Sequence, residues 1–111
     1  MSLPWPNRAL HPNARVHWRE LAEHKKNARI IGRYLAIEAG AKRQAFPERP
    51  AVAITFNPPD NRRRDDDGII ASFKAYRDGI QDAIGVDDSR WQVTYAIGNV
   101  VPKGAVVVEV G

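Results

Sequence analysis

The sequence predicts an α+β fold (α/β in the broad sense): a single domain whose mixed sheet of about four strands packs with two helices, in the order β-α-β-α-β-β. Three observations carry that expectation. Two long windows repeat their apolar residues at helical spacing, and shorter windows alternate apolar with polar or small residues. The two kinds of window interleave along the chain, with two strand windows together at its end. A length of 111 residues suits one two-layer core and is too short for two.

Leu3-Pro4-Trp5-Pro6 opens the chain as an extended segment, because each proline pushes the residue before it toward β or polyproline geometry. Prolines are tolerated on an edge strand, which is where this segment is expected. His11-Pro12-Asn13 continues as loop, with Asn13 placed to cap a helix from about Arg15 to Ala39. In that helix Leu21, Ala28, Ile31 and Leu35 share one arc, while Arg19, Lys26, Arg29 and Arg33 fall on another. The cationic row is either a phosphate-binding stripe or the solvated side of an amphipathic helix. His17 and His24 fall on the apolar side. Their spacing is not the i, i+4 pair that grips zinc on a helix, so they read as buried or interface histidines. Gly40 suits the C′ position.

Residues 41–50 form a basic, proline-punctuated connector. Ala51 to Asn57 alternates, with Val52, Ile54 and Phe56 on one face, and Pro58-Pro59 stops the strand. Asp60 to Asp67 is loop. A second helix is expected from about Gly68 to Ile84, on the spacing of Ile69, Phe73, Tyr76, Ile80 and Ile84, with Asp67 near its start and Gly85 just past its end. Trp91, Val93, Tyr95 and Ile97 mark the next strand, and Ala105 to Val110 the last. The two are expected to form a hairpin through a turn containing Pro102-Lys103-Gly104.

Composition narrows the function classes. Without cysteine there is no disulfide framework, thiolate metal site or thiol nucleophile. No apolar run approaches the roughly 18 residues of a membrane span, and Met1 to Leu10 lacks a signal-peptide core. A soluble, cytoplasmic protein is expected, with no membrane partner. The net charge of +4 is unevenly spread: residues 1–50 hold ten Lys or Arg against four Glu, and the remainder seven against nine Asp or Glu. A basic half beside an acidic cluster suggests a surface that attracts a polyanion, and nucleic acid is the natural one.

The residues that could carry chemistry lie in Arg62–Asp88. Asp65 and Asp67 are two apart in what is expected to be extended chain, which points their side chains the same way. Asp87 and Asp88 follow the second helix. If the strand after them lies beside the one ending at Asn57, both acidic groups meet at one end of the sheet. Three aspartates converging there would suit magnesium, a hard cation that takes carboxylate oxygens, waters and substrate phosphate, and would suit no soft metal. Lys74 falls two helical turns after Asp67 on the same face, within reach of a phosphate beside such a metal. Arg62, Arg63 and Arg64 would hold flanking phosphates. Plainer readings stand beside these: Asp67 as a helix cap worth about 1 kcal/mol, and Lys74 as a surface i, i+4 partner of Asp78 worth a few tenths of a kcal/mol.

The segment Arg63-Arg64-Asp65-Asp66-Asp67, then Lys74, Asp78-Gly79-Ile80 and Gly85-Val86-Asp87-Asp88-Ser89, resembles the signature of RusA-like Holliday junction resolvases. The opening Leu3-Pro4-Trp5-Pro6 and the closing Pro102-Lys103-Gly104 resemble that family as well, so the likeness spans nearly the whole chain. The resemblance implies a homodimeric, magnesium-dependent endodeoxyribonuclease, with manganese as a substitute metal and no organic cofactor, that makes paired nicks in four-way DNA junctions during recombination and repair. Members of the family are often found in bacteria and their prophages. It implies Asp65, Asp67 and Asp88 as catalytic metal ligands and Lys74 as the essential lysine, with Arg62, Arg63, Arg64, Arg19, Lys26, Arg29 and Arg33 as DNA contacts. Asp66 is a lesser candidate and Asp87 a support for Asp88. Gly68 stands where the family commonly has asparagine, and Lys74 follows the aspartates at a longer spacing than in the shortest members. Those departures leave a second expectation, a branched-DNA-binding module whose nuclease site has decayed. A third, that the aspartates only cap a helix and solvate a loop, predicts negligible affinity for branched DNA even at low salt.

Overall fold

Alternating residues of one strand set up the core. Val52, Ile54 and Phe56 are each no more than 1% exposed, and they lie on one face of β2 (Ala51–Asn57). In the computed structural model, which describes residues 1–111, β2 is central to a four-stranded sheet. The sheet order is β1 (Ser2–Pro4), β4 (Ala105–Val110), β2, β3 (Gln92–Ile97). β1 pairs antiparallel with β4, and β4 antiparallel with β2, Ile54 facing Val108 and Phe56 facing Val106. β2 and β3 are parallel, with Ala51 opposite Gln92 and Phe56 opposite Ile97. β1 is the edge strand its prolines require, and its single buried residue is Leu3.

Two features of this topology differ from the expectation. The last two strands do not form a hairpin: β2 lies between β3 and β4, because β3 takes one edge of β2 and β4 the other. The connection passes over the end of β2, where the amides of Gly98 and Val101 donate to the carbonyls of Phe56 and Pro58. Lys103 and Gly104 then turn the chain with positive φ (66° and 71°). The parallel register also puts the start of β3 beside the start of β2, so the chain must travel back along the sheet before β3 begins. Asp65–Asp67 follow the end of β2, whereas Asp88 precedes the start of β3.

The helices cover one face of the sheet. The first, α1, runs from Trp18 to Glu38, roughly 32 Å at 1.5 Å per residue. It starts later than Arg15, because His17 rather than Asn13 is the cap: its Nδ1 accepts from the Arg19 amide at 3.2 Å. His17 is therefore an exposed capping residue, stacked on Trp18. His24 is partly buried, 3.7 Å from Glu20.

The second helical segment is two helices, which makes three in all: α2 (Asp66–Ser72) and α3 (Lys74–Ile84). The Ser72 hydroxyl donates to the Ile69 carbonyl at 2.7 Å, and the Phe73 amide bonds the Ile70 carbonyl, tightening the turn at the break. Phe73 is 1% exposed, edge-on to Phe56 and stacked on Tyr76. The break between α2 and α3 therefore falls at a ring buried in the core.

α1 and α3 pack backbone to backbone. A Cβ on Gly32 would overlap the main chain of Tyr76, and one on Gly79 would overlap the main chain of Arg29 and Arg33. Ala28 and Ala36 of α1 and Ile80 and Ala83 of α3 complete the buried seam. Arg29 closes it at the surface with a two-pronged bond to Asp82, at 2.7 and 2.9 Å. No helix is long and apolar enough to cross a membrane.

Candidate functional site

The site is built from the N-terminal half of α3 and the short turn before β3. Lys74, Arg77, Asp78 and Gln81 recur at i, i+3, i+4 and i+7, so they line one side of α3. Asp88 begins a 3₁₀ turn, Asp88–Arg90, that folds back against this polar stripe. Its amide donates to Gln81 Oε1 at 2.7 Å, which ties the turn to the helix.

Lys74 Nζ bridges two carboxylates, 2.7 Å from Asp78 Oδ1 and 2.8 Å from Asp88 Oδ2. Burial works against the charge on this ammonium, but the two carboxylates outweigh it and raise the Lys74 pKa above its ordinary value. The i, i+4 pair with Asp78 and the contact with Asp88 are thus both present.

Arg77 is the residue that the apolar pattern gave no reason to single out. Its Nε lies 3.0 Å from Asp88 Oδ2. One terminal nitrogen donates to the Tyr95 hydroxyl at 2.7 Å and the other to the Asp88 carbonyl at 3.3 Å, and the guanidinium lies over the Trp91 ring. The Nε–H is not aligned for a hydrogen bond, so the contact with Asp88 is one of charge. The signal that could have found Arg77 is the helical period of the polar residues rather than of the apolar ones.

Asp87 caps the turn, its Oδ1 accepting from the Ser89 amide at 2.9 Å, and the bonds to Ser89 hold its carboxyl below the ordinary range. It therefore supports the turn that carries Asp88.

The acidic triplet is elsewhere. Asp65 occupies the N-cap position of α2 with extended backbone but makes no capping bond, and Asp66 and Asp67 form the first turn. Helical rather than extended geometry beyond Asp65 means that Asp65 and Asp67 do not share a side by strand alternation, as had been expected. All three are exposed around an open cleft of about 560 Å³ with Arg63 and Arg64. No group of three or more His, Asp or Glu side chains gathers as a metal site; the triplet follows the end of β2, whereas Asp88 precedes the start of the parallel β3. The donor chemistry nonetheless suits a hard divalent cation, all of it carboxylate oxygen. One oxygen of Asp88 already attracts two cationic side chains.

The cations divide in the same way. Arg64 holds its own loop, with bonds to Asp60 Oδ1 (2.9 Å) and to the Asp60 and Arg62 carbonyls, and it lies over the Trp5 ring. Asp60 also accepts the Arg62 amide, the main cause of its lowered carboxyl pKa. Arg62 and Arg63 are exposed, as are Arg19, which lies over Trp18, and Arg33. Lys26 and Arg29 line a cleft of about 660 Å³ together with Lys25, Lys74 and Asp78. Part of the α1 cationic row therefore reaches the Lys74 end of the site.

No protein-family model matches the chain. It is similar to an uncharacterized protein of Xylella fastidiosa (strain Temecula1), 44% identical over 93 residues. That likeness covers 82% of this chain and 61% of the relative, so the chain spans less than two thirds of the relative's length.

Proposed function

We propose that this chain is a magnesium-dependent endodeoxyribonuclease that cuts branched DNA, four-way junctions above all, as the RusA-like resolvases it resembles would. The observation that carries the reading is the bond between Lys74 Nζ and Asp88 Oδ2, fourteen positions apart in sequence, at the end of a cleft bearing Lys25, Lys26 and Arg29. It joins two of the four residues that the motif implies as catalytic, beside a surface suited to phosphates. The motif implies Asp65, Asp67 and Asp88 as the residues that would hold magnesium, although they do not gather as one group here; the metal would supply stabilisation of charge on a phosphoryl oxygen and favour attack by water. Lys74 would neutralise the charge that builds on the phosphate, and Asp78 holds that ammonium in place. A homodimer belongs to the proposal, because a four-way junction has two equivalent strands to cut and a two-fold assembly presents two sites.

The test is cleavage of a synthetic four-way junction. Wild-type protein is expected to make symmetric paired nicks with magnesium, Asp67→Asn to make none, and Asp66→Asn to keep activity. Junction binding with no products in magnesium or manganese would refute the enzymatic reading. That result would favour the second reading, a branched-DNA-binding module. Such a module would bind the junction equally well in EDTA.

A further inference from the structure

Gly68 is a buried glycine in the first turn of α2, with no positive φ to require it. Glycine weakens a helix relative to alanine, so a local reason for it must lie in its surroundings. The reason is His11. A Cβ at position 68 would overlap the His11 imidazole, reaching Nε2 and coming within 3.1 Å of Cε1 and 3.2 Å of Cδ2. The absent side chain is the space in which the ring is seated.

The ring is also fixed from its other side. His11 ends the 3₁₀ turn Arg8–Leu10, its amide donating to the Arg8 carbonyl at 3.1 Å. Its Nδ1 accepts the Asn13 amide at 3.1 Å. An accepting Nδ1 leaves the proton of the neutral ring on Nε2, the ring atom nearest Gly68, which makes no hydrogen bond within the protein.

Three clefts share this residue. One, of about 660 Å³ between α1 and α3, carries Lys25, Lys26 and Lys74. A second, of about 590 Å³, carries Arg8 and Arg62 to Arg64. The third, of about 740 Å³, carries Arg8 and Arg15. A chain of phosphates following the cations from the acidic triplet toward Lys74 passes over His11.

We propose that His11 is a contact for the phosphate backbone of the nucleic-acid substrate, seated where the cationic clefts meet by the absence of a side chain at position 68. The inference rests on the nucleic-acid reading above but needs no cleavage. It is tested by fluorescence anisotropy of a labelled four-way junction in EDTA, alongside melting curves. His11→Ala is expected to weaken binding about tenfold, the loss of one charge-assisted hydrogen bond. Gly68→Ala should weaken it too, by displacing the ring. The double variant His11→Ala/Gly68→Ala removes the clash and restores a helix-forming residue. It should therefore melt at or above wild type and still bind about tenfold more weakly, while His11→Asn, which keeps a donor, should recover most of the affinity. A double variant that binds like wild type would overturn the role of His11 and leave the nuclease reading standing. Wild-type binding without cleavage would sink the nuclease reading alone, with the variants still deciding on His11. Wild-type protein that binds no branched DNA would sink both.

Discussion

Gly79→Ala probes the contact on which the helical layer depends. An ideal Cβ at position 79 would stand 2.8 Å from the Arg33 nitrogen and 2.9 Å from the Arg29 carbonyl carbon, closer than such carbons come to main chain. These neighbours are backbone, so no rotamer change relieves the overlap, and α1 and α3 must part. Overpacking of a tight core costs about 1–3 kcal/mol, and a clash with main chain on both sides belongs at the upper end. Alanine returns about 1 kcal/mol of helix propensity, which leaves a net loss of about 2 kcal/mol. At about 4 °C per kcal/mol for a domain of this size, the melting temperature should fall by about 8 °C. Gly85→Ala is the control. There φ is 75° and a Cβ would meet nothing within 4 Å, so the cost is backbone strain alone, about 1 kcal/mol. Thermal unfolding followed by circular dichroism ranks the two. If Gly79→Ala melts within about 2 °C of wild type, or above the Gly85 variant, the backbone-to-backbone crossing is refuted.

Two further substitutions separate the site from its scaffold. Lys74→Met removes both Lys74 bonds; with that side chain 58% exposed, stability should change by no more than about 1 kcal/mol, while junction cleavage should fall at least about 100-fold. A large loss of stability instead would make Lys74 a structural residue. The Arg29 bond holds the Asp82 carboxyl below its ordinary pKa, so the pair stabilises the fold above the unfolded value, about 3.9, and that contribution is lost as pH falls through the depressed folded value. Asp82→Asn should therefore melt below wild type at pH 7, with the gap closing below about pH 4; a gap independent of pH would exclude the ion pair as its source.

Strand and helix positions were legible where burial follows a simple period. Val52, Ile54 and Phe56 announce β2 because one face of the sheet is packed and the other is not. Ile69, Phe73, Tyr76, Ile80 and Ile84 announce a helical segment, but their spacing does not record the break at Phe73. At that break Phe73 packs against the Phe56 and Tyr76 rings, contacts that belong to the assembled core. Gly32 and Gly79 were illegible for a related reason. A glycine inside a helix marks a close approach, and only the partner helix says to what. Strand order failed at the hairpin because two neighbouring strands in sequence pair locally unless another strand has already taken the edge between them.

The site divides along the same line. Contacts made within one helix were readable: Lys74 and Asp78 meet because i and i+4 lie on one side of α3. Lys74 meets Asp88 because the turn before β3 is tied to Gln81 on that side too, a tie that no spacing within the helix announces. The convergence of Asp65 and Asp67 with Asp88 depended instead on strand direction. Adjacent strands were expected, and β2 and β3 are adjacent, but parallel pairing places the chain after β2 and the chain before β3 at opposite ends of those strands. Lys74 lies between the two acidic groups in sequence, as the first residue of α3, and is bonded to only one of them. The cationic clefts close that gap along the surface, from Arg62–Arg64 past His11 to Lys74. A phosphate chain laid along them would run from beside Asp65 to Lys74, whose ammonium is bonded to Asp88, which is why binding by the His11 and Gly68 variants and cleavage by the aspartate variants must be measured separately.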